Sequence, residues 1–269
     1  MIGNITIGQY YPVNSNIHRL DPRTKILATL VYLILLFNVD NFVSYGVVIG
    51  FFLIIVKLSN VPLIMILKGL KAIFIILIFT SVLNIFFTQG TTVLFEIGVL
   101  TVTLEGVIMA IKTAIRLILL ISFSSILTLT TSPIELTNGI EDLLNPLKKV
   151  KVPAHEIAMM MTIALRFIPT LIEELDRIMK AQMARGSEFD TGGLMQKAKS
   201  LVPVLVPLFI SSFRRADELA MAMEARCYRG DINRTKMKKL KYSSLDIYAL
   251  LSFILVFVIV FFTNRLNVW

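Results

Sequence analysis

The sequence predicts an all-α integral membrane protein with about five transmembrane helices and a cytoplasmic or interfacial domain of long helices. Three observations carry that prediction. Of the 269 residues 56% are hydrophobic, and they gather into continuous runs suited to a hydrocarbon core roughly 30 Å thick. Lysine and arginine collect at alternate ends of those runs. Between Ser132 and Ser244 lie 18 of the 27 Lys/Arg and 13 of the 18 Asp/Glu, so one block of the chain is charged while the rest is not.

The opening segment, MIGNITIGQYYPVNSNIHRLDPRTK, lacks the basic start, short apolar centre and small-residue cleavage site of a secretory signal. The first membrane helix is therefore expected to act as the insertion signal. Apolar stretches follow at about Thr24 to Phe37, Phe42 to Val56, Leu63 to Phe87 and Leu104 to Thr130, and a fifth at Leu245 to Phe262. Asn38, Val39, Asp40 and Asn41 read as a tight polar turn between the first two; one helix running through that turn is the alternative. The expected organisation is a membrane domain at 1–131, a charged domain at 132–244 and a last transmembrane helix at 245–269.

Arg19, Arg23 and Lys25 precede the first helix, and Lys57, Lys68 and Lys71 surround the connection from the second to the third. The first turn and the connection from Thr88 to Thr103 have no lysine or arginine. Cations are retained on the cytoplasmic side, so the N-terminus and the charged block are expected inside the cell membrane and the C-terminus outside. Lys112 and Arg116, four residues apart within the fourth stretch, face protein or snorkel to an interface on the plain reading; a substrate path is the alternative.

Inside the charged block, Ser132 is a candidate N-cap with Pro133 at the first helical position and Glu135 at the third. That helix should end near Asn145 and Pro146. A long helix is expected from about Ala154 to Ala184 with a kink at Pro169, then another up to the segment MEARCYRG, bent early by Pro203 and Pro207. The apolar run Leu201 to Ile210 is too short to span and needs cover from the inner membrane face or another apolar protein surface. Eight of the 12 methionines fall in these two helices, which suits an adaptable contact surface or simple core filling.

Catalytic patterns are missing. There is no phosphate-binding G-x-x-x-x-G-K-[ST], no nucleophile elbow, and His155 lacks a second histidine one turn on. Glu173, Glu174 and Asp176 read as a solvated helix face paired with Arg177 and Lys180. A single cysteine, Cys227, excludes an intrachain disulfide and a cysteine metal cluster. No basic and aromatic pattern points to nucleic acid, despite the net charge of +9.

Two arginines stand out. Arg185 lies between Ala184 and Gly186, and Arg226 between Ala225 and Cys227, each near the expected end of a long helix. Gly186 directly after one and Gly230 four residues after the other fit ordinary C-terminal capping, with a cation at the negative end of the dipole. The small flanks equally fit a contact in which a partner approaches the backbone and the planar guanidinium grips carboxylates or carbonyls in a groove.

Over almost its whole length the sequence resembles the transmembrane T component, EcfT, of energy-coupling factor (ECF) transporters, which are ATP-binding-cassette importers of vitamins and trace nutrients. The resemblance is carried by HRLDPRTKI, TTSPIEL, LLNPLKKVKVP, ALRFIPTLIEELDRIMKAQMARG and MAMEARCYRG. The family's two Ala-Arg-Gly signatures match Ala184, Arg185, Gly186 and Ala225, Arg226, Cys227, with Cys227 departing from the usual glycine. The resemblance implies that the long helices are coupling helices whose arginines bind two cassette ATPase subunits (EcfA-type), and that a separate membrane S component captures the substrate. It implies no catalysis, cofactor or metal in this chain, and ATP hydrolysis in its partners. A self-contained secondary transporter or channel is the competing class, which calls for intramembrane charge pairs or an inverted repeat.

The orientation has a direct consequence. In intact cells Cys227 is expected to resist a membrane-impermeant thiol reagent, and a cysteine placed by Asn267→Cys to react; the opposite labelling pattern refutes the five-span arrangement.

Overall fold

The computed structural model describes residues 10–71, 73–97, 100–187, 189, 193–230 and 240–265. Among these, residues 10–139 with 240–265 form one compact unit and residues 140–230 another.

The first unit is a set of helices. Asp21 caps α1, Pro22–Phe37, accepting from the Arg23 amide, with proline in the first turn where no amide partner is needed. After the polar turn comes α2, Phe42–Ser59, ended by Asn60 in the left-handed region at φ 53°. The stretch from Leu63 to Phe87, expected as one span, is two helices, α3 at Leu63–Lys71 and α4 at Phe74–Phe87, with axes 66° apart. No proline causes the break. Lys68 and Lys71 fall in the last turn of α3 and α4 carries no charge at all. Cations in hydrocarbon are costly, so the charged piece leaves the line of the apolar one.

The connection from Thr88 to Thr103 holds a short antiparallel hairpin, β1 at Val93–Ile97 and β2 at Leu100–Thr103, with Val93 opposite Thr103 and Phe95 opposite Val102. Strands of five and four residues are too short for alternation to announce them. The hairpin leads into α5, Leu104–Thr130, whose Thr103 cap accepts from the Gly106 amide and donates to the Thr88 carbonyl. The Glu105 carboxylate collects the amides and hydroxyls of Thr91 and Thr92, closing the loop on itself.

Next follow α6, Pro133–Leu144, a 3₁₀ turn over Asn145–Val150, α7 at Ala154–Ala184, α8 at Leu194–Ala225 and, back in the first unit, α9 at Ser244–Arg265. The Ser132 hydroxyl accepts from the Glu135 amide at the start of α6, as a cap should. Gly139 of α6 packs so closely on α1 that a Cβ would stand 3.0 Å from that of Pro22. Among the described residues four helices are long and apolar enough to cross a membrane, α2, α5, α7 and α9, or five if the bent pair α3 and α4 is one span. At 16 residues α1 rises about 24 Å and is short by length alone, whereas α7 passes on length and on its apolar first half.

The core of this unit is aromatic. Tyr32 of α1 stacks on Phe123 of α5 with centroids 3.9 Å apart, and Phe253 of α9 meets Phe51 of α2 edge-on at 4.9 Å. Helices in lipid gain nothing from hiding apolar surface, so such close packing carries the association.

Polar bonds then fasten the ends. The buried Asp246 at the start of α9 accepts the Asp21 amide at 2.8 Å and the Ser243 amide at 2.7 Å. Arg23 grips Asp21 through two nitrogens and lies 4.1 Å over the Tyr242 ring. Lys25, also buried, donates to the carbonyls of His18 and Thr130 at 3.0 and 2.9 Å, filling the open C-terminal end of α5. His18 donates from Nε2 to the Tyr11 carbonyl and accepts at Nδ1 from the Ser15 hydroxyl; burial holds its pKa below the ordinary imidazole value, which keeps this neutral tautomer. At the opposite end of α9, Thr263 and Asn264 bond Ser44 of α2.

Removing the carboxylate by Asp246→Ala leaves the buried Asp21 amide and the half-buried Ser243 amide without this acceptor. The expected loss is about 1–3 kcal/mol, read as a lowered thermal unfolding midpoint of the detergent-solubilised chain, whereas Leu30→Ala on the exposed face of α1 should leave the midpoint nearly unchanged.

Candidate functional site

The second unit is built on α7 and α8, and their contacts run in opposite senses along the two helices. Glu174 of α7 bonds Arg215 of α8 at 2.9 Å, Gln182 reaches the Pro203 carbonyl at 3.4 Å, and Tyr228 just past α8 meets His155 and Met159 at the start of α7. The pair is antiparallel. Asp176 and Lys180 form the expected i, i+4 pair at 2.6 Å, but Glu174 departs from the solvated-face expectation by crossing to α8.

Proline explains one cross-link. A helical Pro207 has no amide to offer the Pro203 carbonyl four residues back, and Gln182 supplies the missing donor. Pro169 lies inside α7 and likewise interrupts its ladder.

Both helices end in the same way. The last residue of α7 is Ala184 and Arg185 is its C-cap; Gly186 is left-handed at φ 90°, its amide donates to Met183, and the Ser187 amide donates to Gln182. The last residue of α8 is Ala225 and Arg226 is its C-cap; Cys227 is left-handed at φ 56°, its amide donates to Glu224, and the Tyr228 amide donates to Met223. These are two Schellman motifs in the same register. The end of α8 therefore differs from the sequence expectation: Cys227 takes the left-handed place, and Gly230, at φ 72°, lies beyond the motif.

That geometry separates the two readings of the arginines. The orphan carbonyls are taken by backbone amides, so neither guanidinium is needed as a cap. Ala184, Arg185 and Gly186, and likewise Ala225, Arg226 and Cys227, are exposed, and among the described residues no hydrogen bond or ion pair engages either arginine side chain. Each tip presents a cation, small neighbours and a tight chain reversal.

The structure does not bring the two tips together. The tip of α8 lies beside His155, and Ala184 is 29 residues further along α7, roughly 40 Å at the helical rise of 1.5 Å per residue. Sequence reasoning missed Tyr228, His155 and Gln182 as the residues holding the tips to the facing helix; an apolar or aromatic residue two places past a helix C-cap is the one signal that pointed to Tyr228.

The apolar run Leu201 to Ile210 is left open. Val204 is buried, while Leu201, Leu205 and Phe209 stand exposed, so the described residues of this unit do not supply the cover this run needs. Arg116 and Lys112 of α5 turn to the α1–α2 connection, where Arg116 donates to the Val39 carbonyl at 2.9 Å and the Lys112 ammonium sits 5.2 Å over the Phe42 ring. Both contacts lie within the first unit.

Residues 13–238 match the family described as CbiQ: Cobalt transport protein. The chain is similar to the energy-coupling factor transporter transmembrane protein EcfT of Clostridium kluyveri, 61% identical over 250 residues covering 93% of each chain. The protein of that name in Acidaminococcus fermentans is 54% identical over 262 residues, 97% of each chain, and that in Bacillus subtilis 46% identical over 262 residues, 97% of this chain and 99% of its own. The chain belongs to the EcfT family. It is thus a transmembrane component of an ECF transporter, and the resemblance read in its motifs extends to nearly full-length similarity. Among the described residues of this EcfT-family chain, the two arginine tips stand exposed and repeated, with neither guanidinium engaged by a hydrogen bond or ion pair.

A left-handed residue with a side chain costs roughly 1 kcal/mol relative to glycine. Cys227→Gly should therefore raise the protection of the last-turn amides of α8 against hydrogen exchange by up to several-fold, and Gly186→Ala should lower that of α7 by a similar factor.

Proposed function

We propose that the chain is the coupling subunit of an ECF importer, transmitting ATP-driven motion of two cassette ATPase subunits to a membrane S component that captures a vitamin or micronutrient. The observation that carries this reading is the repetition: one tip geometry occurs at both ends of an antiparallel helix pair, each with a spare arginine. Two separated, equivalent contacts suit two partners of one kind. Closure of an ATPase pair would draw the tips along with it, and helices of 31 and 32 residues are long enough to carry the displacement.

The partner grooves should be lined with carboxylates or carbonyls, matched to a planar fork. The exposed run from Leu201 to Ile210 supplies an apolar face for the S component. On this reading the unit of α7 and α8 faces the cytoplasm, α1, α2, the bent pair, α5 and α9 are the spans, and the C-terminus is extracellular. A self-contained transporter finds no support in Lys112 and Arg116, since both serve the α1–α2 connection.

Arg185→Glu replaces the gripping fork by a charge of opposite sign. If the contact is buried in the complex, the loss is about 2–5 kcal/mol, and uptake should fall more than complex yield, since the second tip still holds; the Arg185→Glu, Arg226→Glu pair should be worse than either alone. Lysine is the sharper probe. It keeps the charge at the helix end, so Arg185→Lys and Arg226→Lys should each impair transport if a planar fork is recognised. Normal uptake and ATP hydrolysis in both lysine variants would eliminate the groove contact.

A further inference from the structure

His155 is buried, with its side chain 7% exposed, in a unit whose helices otherwise show mostly open faces. Its Nδ1 stands 3.0 Å from Oε1 of Glu141 on α6, the helix in which the chain passes from one unit to the other. A carboxylate can only accept, so Nδ1 carries the proton and, in the neutral ring, Nε2 is the acceptor. The Tyr228 hydroxyl faces that nitrogen at 3.4 Å and the Met159 sulfur at 2.9 Å. Its one proton is shared between them.

Tyr228 is not an arbitrary partner. It is the residue whose amide closes the Schellman motif of α8 on Met223, two places past Arg226. Its ring therefore extends the tip onto the start of α7 and, through His155, onto α6. Among the described residues the tip of α7 has no equivalent. Its closing residue is Ser187, and its tie to α8 is the exposed Gln182 amide on the Pro203 carbonyl at 3.4 Å.

We infer that Glu141, His155 and Tyr228 form a buried brace that fixes the Arg226 tip relative to α6, making the two coupling tips mechanically unequal: Arg226 is the stiff contact and Arg185 the compliant one. These are positioning residues, and their use in transport rests on the coupling function proposed above. A stiff contact passes on a partner's displacement, whereas a compliant one accommodates the partner's rotation during the same cycle.

The single native cysteine supplies the probe. A nitroxide on Cys227 of the purified full-length chain should give a motionally restricted spectrum, and one on Ser187→Cys in a Cys227→Ser background a freer spectrum. Tyr228→Phe, which keeps the ring and deletes the hydroxyl, should shorten the correlation time at Cys227 several-fold and leave that at position 187 unchanged. Glu141→Gln, which spares the tip itself, should act in the same direction. Equal spectra at the two tips, or no response at Cys227 to either variant, overturns the brace; so does equal loosening at both positions, which marks general loss of structure. In the assembled transporter, Tyr228→Phe should lower uptake per ATP hydrolysed without lowering complex yield. A freed label with unchanged coupling keeps the brace and refutes the coupling function on which its use rests.

Discussion

A helix leaves its first amides and its last carbonyls without partners inside the helix, and meeting that need organises both units. In the membrane unit the solution is side chains. Lys25 fills the carbonyl of Thr130 where α5 ends, Asp21 caps α1, and Asp246 takes the Asp21 amide, so the ends of three helices share one polar knot. Remove the knot and α1, α5 and α9 keep their aromatic contacts but lose the register of their ends. Arg23, which grips Asp21, and Lys25 also count toward the charge asymmetry from which the orientation is expected.

In the second unit the same constraint is met by the backbone alone. The Schellman amides at Gly186, Ser187, Cys227 and Tyr228 close both helices, and this frees the arginines. A guanidinium that had to cap its own helix could not also grip a partner. The result is a pair of tips whose backbone closes on itself and whose arginine side chains stay open.

The units differ as strongly in their cores. Tyr32, Phe123 and Phe253 interlock α1, α5 and α9, whereas α7 and α8 bury little beyond Ala154, His155, Ala158 and Val204. Exposed Leu205 and Phe209 beside such a thin core form an open apolar surface. Buried polar bonds therefore weigh more in this unit than in the other, and the cluster at His155 is where they concentrate.

Much of this was legible in the residues. Length and apolarity delimit α2, α5 and α9, the prolines and glycines bracket α7, Ser132 announces α6, and small residues around Arg185 and Arg226 mark the tips, because each of these signals is local and acts through the backbone or through solvation. The bend between α3 and α4 was written in Lys68 and Lys71 but masked by the continuous hydropathy around them. The hairpin was too short to show a period. Only tertiary structure decided that Cys227, rather than Gly230, takes the left-handed turn, that the tips stand at opposite ends of an antiparallel pair, and that Tyr228 reaches His155 across 73 residues of sequence. Those outcomes depend on which side chain on a facing helix fills an orphan donor or acceptor, and a linear sequence holds the candidates without the distances that choose among them.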